Sequence, residues 1–358
     1  MAFFFSETEM SQAQWLRIHK YVGLTMAALL LVQALTGMLL LYRGPVARLI
    51  DSAGMASHGN GPVITAGTAV VEAEKALPGF AVARLFAPDV EGATYVAEMN
   101  NAHGAVRYAS VDPAGGKVLR AGSIWAFPVE AALQIHYRLM AGKAGMAIVL
   151  LNALGLFAMA VTGLIFWWPR RGPIAKHLSI RWSVAFRLVL RQLHRTVGVV
   201  MSLVLGFLAV TGLLLVVPDM LDAGAPAQRH PAVSAATLDQ GLALAQSAFP
   251  ESALRDVRLT DERLIVNFHA PERNARAVHR AVVTITAPHI VSATRAEQNG
   301  ALWITVLPLH AGNSLGAIGP MLWMAAALAL LALSISGPVM WWQARALRRR
   351  ATFRKLPA

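Results

Sequence analysis

Four of the eleven histidines stand in motifs that occur twice in the 358-residue sequence. A Thr-Gly pair follows both His19 and His194 at the same offset of 17. His136 and His310 are each followed by glycines at offsets of 6, 9 and 27 and by a Trp-Trp pair at offset 31. Neutral imidazole binds a metal through one ring nitrogen while the other donates a hydrogen bond. These four side chains are therefore the candidate metal ligands.

The spacing of these motifs predicts a tandem duplication. The displacement between the copies is the same for the two histidine pairs to within one position. Chance does not preserve such a register over two long segments. Because both copies run in the same direction through the membrane, the halves are predicted to be related by an axis along the membrane normal. His19 would then face His194, and His136 would face His310.

Four apolar stretches are long enough to cross a bilayer, which takes roughly 20 residues. None of them contains Asp, Glu, Lys or Arg, and they cover residues 21–42, 146–168, 197–217 and 315–342. Hydrophobic residues make up 56% of the chain and charged residues only 14%, well below the usual share for a soluble protein. The predicted fold class is therefore a membrane α-helical protein with four transmembrane helices.

The formal net charge of +13 follows the topology and does not indicate a nucleic-acid partner. One basic cluster follows the second span and contains Arg170, Arg171, Lys176, Arg181, Arg187, Arg191 and Arg195. Another follows the fourth span and contains Arg345, Arg348, Arg349, Arg350, Arg354 and Lys355. The positive-inside rule places both clusters and both termini in the cytoplasm. The two long connections are then on the opposite side.

Each long connection reads as a small α+β module. An amphipathic helix is predicted over 68–77 and over 238–249, and alternating strand-like runs follow each. Three runs are predicted in each module, at 81–86, 94–99 and 106–111, and at 255–259, 263–268 and 281–285. The predicted order is transmembrane helix 12–42, module 43–128, helix 129–168, basic loop 169–190, helix 191–217, module 218–305, helix 306–342 and basic tail 343–358.

The pairs of histidines predict two haem b groups. His19 and His194 begin the first and third spans at the cytoplasmic edge, and His136 and His310 precede the second and fourth spans at the outer edge. Two opposed imidazoles between packed helices are a common way to hold haem iron from both sides. With no open coordination position, such iron transfers electrons and does not bind dioxygen.

Lys20 and Arg195 occupy equivalent positions beside the inner histidines and are predicted to pair with haem propionates. Zinc or copper is the alternative metal, but no carboxylate stands at ligand spacing and the chain has no cysteine. The other histidines lack the repetition and are predicted to have surface or structural roles: His58, His103, His177, His230, His269, His279 and His289.

The histidine motifs, the Thr-Gly pairs and the Trp-Trp pairs resemble those of the PepSY-associated transmembrane family of iron-uptake inner-membrane proteins. Residues 111–118, with Asp112-Pro113 at a turn, resemble the end of a PepSY module. Within the family the chain is most similar to a siderophore reductase associated with ferrioxamine use. The resemblance implies a haem-dependent oxidoreductase of the bacterial inner membrane that reduces ferric siderophores in the periplasm. A separate donor, a quinol or a cytosolic flavoprotein, would supply the electrons.

Two other functions remain open from the sequence. One is a permease for siderophores or other metal chelates without redox chemistry. The other is a sensor or regulatory anchor, in which the PepSY-like modules bind a partner protein and the histidines are structural.

Overall fold

The computed structural model describes residues 11–169, 172–221 and 233–353. Five basic or histidine residues discussed above lie outside these ranges: Arg170, Arg171, His230, Arg354 and Lys355. The chain divides into two compact units. We call residues 1–38, 135–220 and 320–358 the helical unit, and residues 39–134 and 221–319 the sheet unit.

The helices vary widely in length. In chain order they are Gln12–Leu41 (α1), Arg43–Ile50 (α2), Ser52–Met55 (α3), Ala66–Ala76 (α4), Pro128–Arg138 (α5), Gly142–Trp167 (α6), Ile174–Leu178 (α7), Phe186–Leu221 (α8), Ala235–Ser247 (α9), Leu302–His310 (α10) and Ile318–Phe353 (α11). Among these, α1, α6, α8 and α11 are long and apolar enough to cross a membrane. They are rich in Leu, Ala and Met, which favour helix, and apolar around most of their circumference.

Glycines bring the long helices of the helical unit into close contact. A Cβ on Gly155 of α6 would stand 3.0 Å from the Met26 side chain of α1, and one on Gly206 of α8 would stand 3.8 Å from Ala160. Small residues at such positions allow helices to approach closely where no hydrophobic effect drives association. The apolar core between them contains Leu30, Ala34, Leu205, Ala326 and Leu330.

The predicted second and fourth spans differ from the structure, because each histidine-bearing segment is a separate short helix. Between α5 and α6, Leu139 and Met140 have φ of 48° and 58°, and Gly142 follows with φ of 54°. Between α10 and α11, Gly316 adopts φ 57° and ψ −141°, a conformation open essentially to glycine alone. The predicted helices 129–168 and 306–342 are thus each interrupted near the start of the apolar run. In contrast, α8 and α11 extend into the basic segments at 186–190 and 343–353.

The sheet unit contains one eight-stranded antiparallel sheet. Its strands are Ala81–Phe86 (β1), Tyr95–Asn100 (β2), Val106–Val111 (β3), Val118–Gly122 (β4), Leu254–Leu259 (β5), Arg263–His269 (β6), Val278–Thr284 (β7) and Ile290–Thr294 (β8). Their order is β4-β3-β2-β1-β5-β6-β7-β8. The two predicted modules therefore share a single sheet, joined by the pairing of β1 with β5.

The structure adds a fourth strand to each module. The sequence pattern does not reveal β8, because most of its residues are exposed and lack apolar alternation, or β4, which is short and interrupted by Arg120. Helices α4 and α9 pack on one face of the sheet over Leu85, Val257 and Val266. The two helices are joined at Asp239, whose carboxylate accepts hydrogen bonds from the Gly67 amide at 2.9 Å and the Thr65 hydroxyl at 2.6 Å.

Candidate histidine site in the helical unit

A hydroxyl on another helix holds each of three histidine rings. His19 Nδ1 on α1 lies 3.2 Å from Thr162 Oγ1 on α6, and His194 Nδ1 on α8 lies 2.7 Å from Ser336 Oγ on α11. At the opposite end, His136 Nδ1 on α5 lies 2.9 Å from Thr36 Oγ1 on α1. Each hydroxyl-bearing residue is buried, so these are interior contacts.

The hydroxyl protons fix the tautomer of these rings. Thr36 and Thr162 each donate to a carbonyl one turn earlier in their own helix, Val32 and Ala158, at 2.7 Å. A hydroxyl has one proton, so its oxygen must accept from the imidazole, and Nδ1 carries the hydrogen. Ser336 makes the corresponding bond to Leu333 at 3.4 Å. Nε2 then keeps its lone pair, which is the tautomer that a metal ligand requires.

A glycine follows each of these hydroxyl residues and leaves space for the ring. A Cβ on Gly163 would stand 3.3 Å from His19 Cε1, and a Cβ on Gly37 would stand 3.2 Å from His136 Cε1. Gly337 lies slightly farther from His194, at 3.6 Å. The hydroxyl-glycine pair is therefore one unit, in which the first residue binds the ring and the second accommodates it.

The inner histidines contact their hydroxyl partners through the same ring nitrogen. Both His19 and His194 are half-buried and hydrogen-bond to the hydroxyl at Nδ1, and the Met159 carbonyl is also a hydrogen-bond partner of the His19 ring. The two imidazoles are close enough to interact electrostatically. Within the described ranges no group of three or more His, Asp or Glu side chains could hold a metal ion.

The outer histidines lie near the ends of short helices. His136 is two residues before the end of α5, and His310 is the last residue of α10. Next to His136, the Tyr137 hydroxyl donates to Asp219 of α8 at 2.5 Å. This bond ties the end of α5 to a long helix of the helical unit. The predicted orientation of His136 toward His310 stays a prediction.

The predicted propionate partners are placed differently. The Lys20 ammonium lies 4.3 Å from the centre of the Tyr21 ring. Arg195 donates through NH2 to the Ser179 carbonyl at 3.1 Å, while its Nε is buried with no described partner. A buried donor without a partner is costly and commonly marks an absent ligand group.

Two further buried donors without described partners flank the histidines, Trp167 Nε1 and Arg138 Nε. Trp167 stands one helical turn after Gly163, and Arg138 stands two residues after His136. Together with Arg195 they provide unpaired N–H groups beside both inner and outer histidines. The side chains present thus fit a group that has a metal centre and carboxylates at its edge.

Sequence reasoning missed the hydroxyl acceptors, although their signal is visible. Thr36-Gly37 is a repeated pair, but on sequence grounds its glycine indicates only close helix packing. Another omission is Asn152, which is buried in the middle of α6 with an Oδ1 that has no described partner.

Of the other histidines, His279 has the structural role predicted for it: its Nδ1 accepts from the Ala296 amide and its Nε2 contacts Glu272 at 2.8 Å.

Comparison with known proteins gives one family. A family model described as the PepSY-associated TM region matches residues 16–344. The match includes all four repeated histidines, most of the four long apolar helices and the whole sheet. No curated protein matches the sequence.

Proposed function

Starting from a membrane protein that belongs to the PepSY-associated transmembrane family, we propose that this chain is an electron conduit carrying two haem b groups. It reduces ferric siderophores on the periplasmic side of the bacterial inner membrane and releases Fe(II). One haem is held by His19 and His194, with Lys20 and Arg195 toward its propionates. The other is held by His136 and His310.

The hydrogen bonding of the repeated histidines carries this proposal. Structural histidines normally use both nitrogens, as His279 does. The hydroxyl contacts of His19 and His194 are instead both made at Nδ1, which favours the tautomer whose Nε2 carries the lone pair that binds iron. The hydroxyl contact also orients each ring, as the outer partners of metal-binding histidines do. Matching offsets in the two halves and the same order of helix and four strands in each connection support duplication of this site.

The inner histidines, His19 and His194, and the outer histidines, His136 and His310, form two proposed tiers. This arrangement suits the transfer of electrons across a membrane. Thr36, which holds His136, lies at an offset of 17 from His19 on α1. At about 1.5 Å per residue this separates the tiers by about 25 Å along the helix, close to the thickness of the hydrocarbon layer. Bound haem would supply a one-electron carrier at each tier. By the positive-inside rule, the basic segment after α6 and the basic end of α11 favour a cytoplasmic position for the inner histidines.

The reaction requires one electron for each ferric ion. A quinol donor would be oxidised to quinone and release two protons, and its two electrons would reduce two chelates. A cytosolic flavoprotein is the other donor class. Hard oxygen ligands bind Fe(III) more tightly than Fe(II), so reduction weakens the chelate and frees the metal. The protein has to hold the chelate near the outer tier and exclude competing acceptors.

The first test is to purify the full chain in mild detergent and to record absorption spectra before and after dithionite. Two low-spin, six-coordinate b-type haems per chain are expected. Loss of the reduced spectrum on addition of a ferric siderophore, with formation of Fe(II), would demonstrate the reaction. A colourless protein from iron-replete cells would refute the proposal and favour the regulatory anchor. Chelate uptake into vesicles without a reductant would favour the permease.

The histidine assignment has its own test. His310→Ala should remove the outer haem and leave the inner one, so that haem per chain falls by about half. His103→Ala is the matched control, because His103 is exposed and its side chain is outside the repeated motifs. Unchanged haem content in His310→Ala would exclude His310 as a ligand.

A further inference from the structure

The central strands of the sheet carry charge on the face opposite α4 and α9. Leu85 of β1 and Val257 of β5 point toward those helices and belong to the apolar core. Side chains alternate along a strand, so the neighbours on either side of these two residues lie on the other face. These neighbours are Arg84, Phe86, Asp256 and Arg258.

Other segments cover both ends of this second face. At one end Phe127 packs on Val96 and Tyr108, and at the other end Ile304 of α10 packs on Val278. The strip between them is formed by β1, β5 and β6 and carries Arg84, Asp256, Arg258 and Asn267. We call this strip, together with the bordering residues Arg255, Arg276 and Arg280, the arginine face.

One fully buried carboxylate organises the middle of the arginine face. Asp256 Oδ1 accepts a hydrogen bond from Arg84 Nε at 3.0 Å and another from Asn267 Nδ2 at 3.0 Å. The Asn267 oxygen in turn accepts from Arg280 Nε at 3.2 Å. This network fixes Arg84 and Arg280 in place before any ligand arrives.

The cations exceed what Asp256 neutralises. Arg258 is exposed, and it stands directly opposite Arg84 in the pairing of β1 with β5. Like charges directly opposite each other across a sheet are destabilising. Arg258 also experiences repulsion from Arg280, and the nearby acids that offset it are Asp256 and Glu98. Glu98 stands opposite Arg84 in the pairing of β1 with β2, and a bound anion would further reduce the repulsion among the arginines.

Arg255 and Arg276 continue the positive charge toward α10. Burial lowers the pKa of Arg255 to about 10, and repulsion from Arg84, Arg276 and Arg258 adds to this against attraction by Asp256. The Arg255 guanidinium lies 5.5 Å from the centre of the Trp303 ring.

Arg276 connects the arginine face to the end of α10. Its pKa is also lowered, first by burial and then by repulsion from Arg43, while the exposed Asp89 offsets part of the effect. Arg276 donates from Nε to the Asn313 side chain at 3.0 Å, three residues after His310. The charge thus extends to the segment that carries a proposed haem ligand.

We propose that the arginine face binds the substrate and selects an anionic ferric chelate with free carboxylate oxygens. Guanidinium groups bind carboxylates in a planar, bidentate geometry, and the partial burial of Arg84 and Arg280 strengthens their contacts. Positively charged hydroxamate chelates are disfavoured by the same charge. This inference depends on the proposed function for the role of iron, but not for the binding of the anion.

The test is chelate binding to the full chain in detergent, measured by titration calorimetry. Ferric citrate is the anionic probe, and the ferric complex of ferrioxamine B is the cationic one. Ferric citrate should bind more tightly than the ferrioxamine B complex, and its affinity should fall as the salt concentration is raised. The double variant Arg258→Gln/Arg280→Gln should bind citrate at least about tenfold more weakly. Lys75→Gln is the control, because Lys75 is an exposed cation of α4, the helix that covers the opposite face of the sheet.

Each result has a defined meaning. Tighter binding of the cationic probe, or unchanged citrate binding in the double variant, would overturn the inference. Loss of haem from the double variant would also overturn it, since the arginines would then serve propionates. Citrate binding by a protein without haem would support the inference while refuting the proposed conduit. Reduction of Fe(III) at the same rate from anionic and cationic chelates would support the proposed conduit and refute the inference.

Discussion

The inner histidines and His136 are held by the same kind of hydroxyl contact, but the inner and outer histidines stand on different kinds of helix. His19 and His194 lie within α1 and α8, helices of 30 and 36 residues that continue past the ring on both sides. His136 and His310 lie at the ends of helices of 11 and 9 residues, just before a break in the backbone. The inner rings are therefore positioned by packed helices, and the outer rings also by the turns that follow them.

This difference suggests a division of roles. A ring on a long packed helix has a fixed position, which suits a site that only transfers electrons. A ring on a short helix can move with its turn, which suits a site next to an exchanging substrate. The two tiers should therefore respond differently to changes of the same size.

The largest effect is expected from filling the space beside the rings. Gly163→Val and Gly37→Val would place methyl groups on His19 and His136, because even a Cβ would come within 3.3 Å and 3.2 Å of them. Each variant should lose about half of the bound haem, the inner and the outer group respectively. Haem extraction and spectra measure this. Gly300→Val is the control, since a Cβ there meets nothing within 4 Å.

Alanine at the same positions tests how far each histidine ring can shift. The added Cβ requires a shift of a few tenths of an ångström, which the short α5 can make more easily than the long α1. Gly37→Ala should keep its haem, and Gly163→Ala should lose part of it. Equal losses would show that the two tiers are equally rigid.

A smaller effect is expected from removing the hydroxyl acceptors. Thr162→Val and Thr36→Val keep the side-chain shape but leave a buried N–H unpaired, which costs about 1–3 kcal/mol. Loss of such an outer partner typically lowers metal affinity by roughly 10–100-fold. Haem dissociation rates and midpoint potentials should change for the affected tier only. The Thr→Ser variants retain the acceptor and should behave as the unmodified protein; a similar change in them would exclude the hydrogen bond as the cause.

The smallest effect is expected at the turns. Gly316→Ala forces a side chain into a conformation that is nearly restricted to glycine, at a cost of about 1–3 kcal/mol. Gly142→Ala, at φ 54°, should lower the free energy of unfolding by less, about 1–2 kcal/mol. Residues other than glycine can adopt the left-handed helical region at about this cost. Thermal unfolding followed by circular dichroism should show the larger decrease for Gly316→Ala. Only the outer haem should become easier to extract, and loss of the inner haem would contradict the comparison.

Much of the helical unit was predictable because its signals are local. The apolar stretches defined α1, α6, α8 and α11, whereas the predicted helices 129–168 and 306–342 missed the breaks that precede α6 and α11. The strands with alternating apolar residues were predicted as well, whereas the exposed edge strand β8 had no such pattern to detect.

The sequence alone determined the membrane class, the repeated register of the four histidines and the family, because hydropathy and spacing are properties of the chain itself. The tertiary structure decided what the spacing meant. It placed Thr162 beside His19 across 143 residues and Asp256 beside Arg84 across 172 residues. It also joined two modules into one sheet through β1 and β5. Contacts of this kind depend on how distant segments pack, and no local pattern encodes the partner that a given side chain will meet.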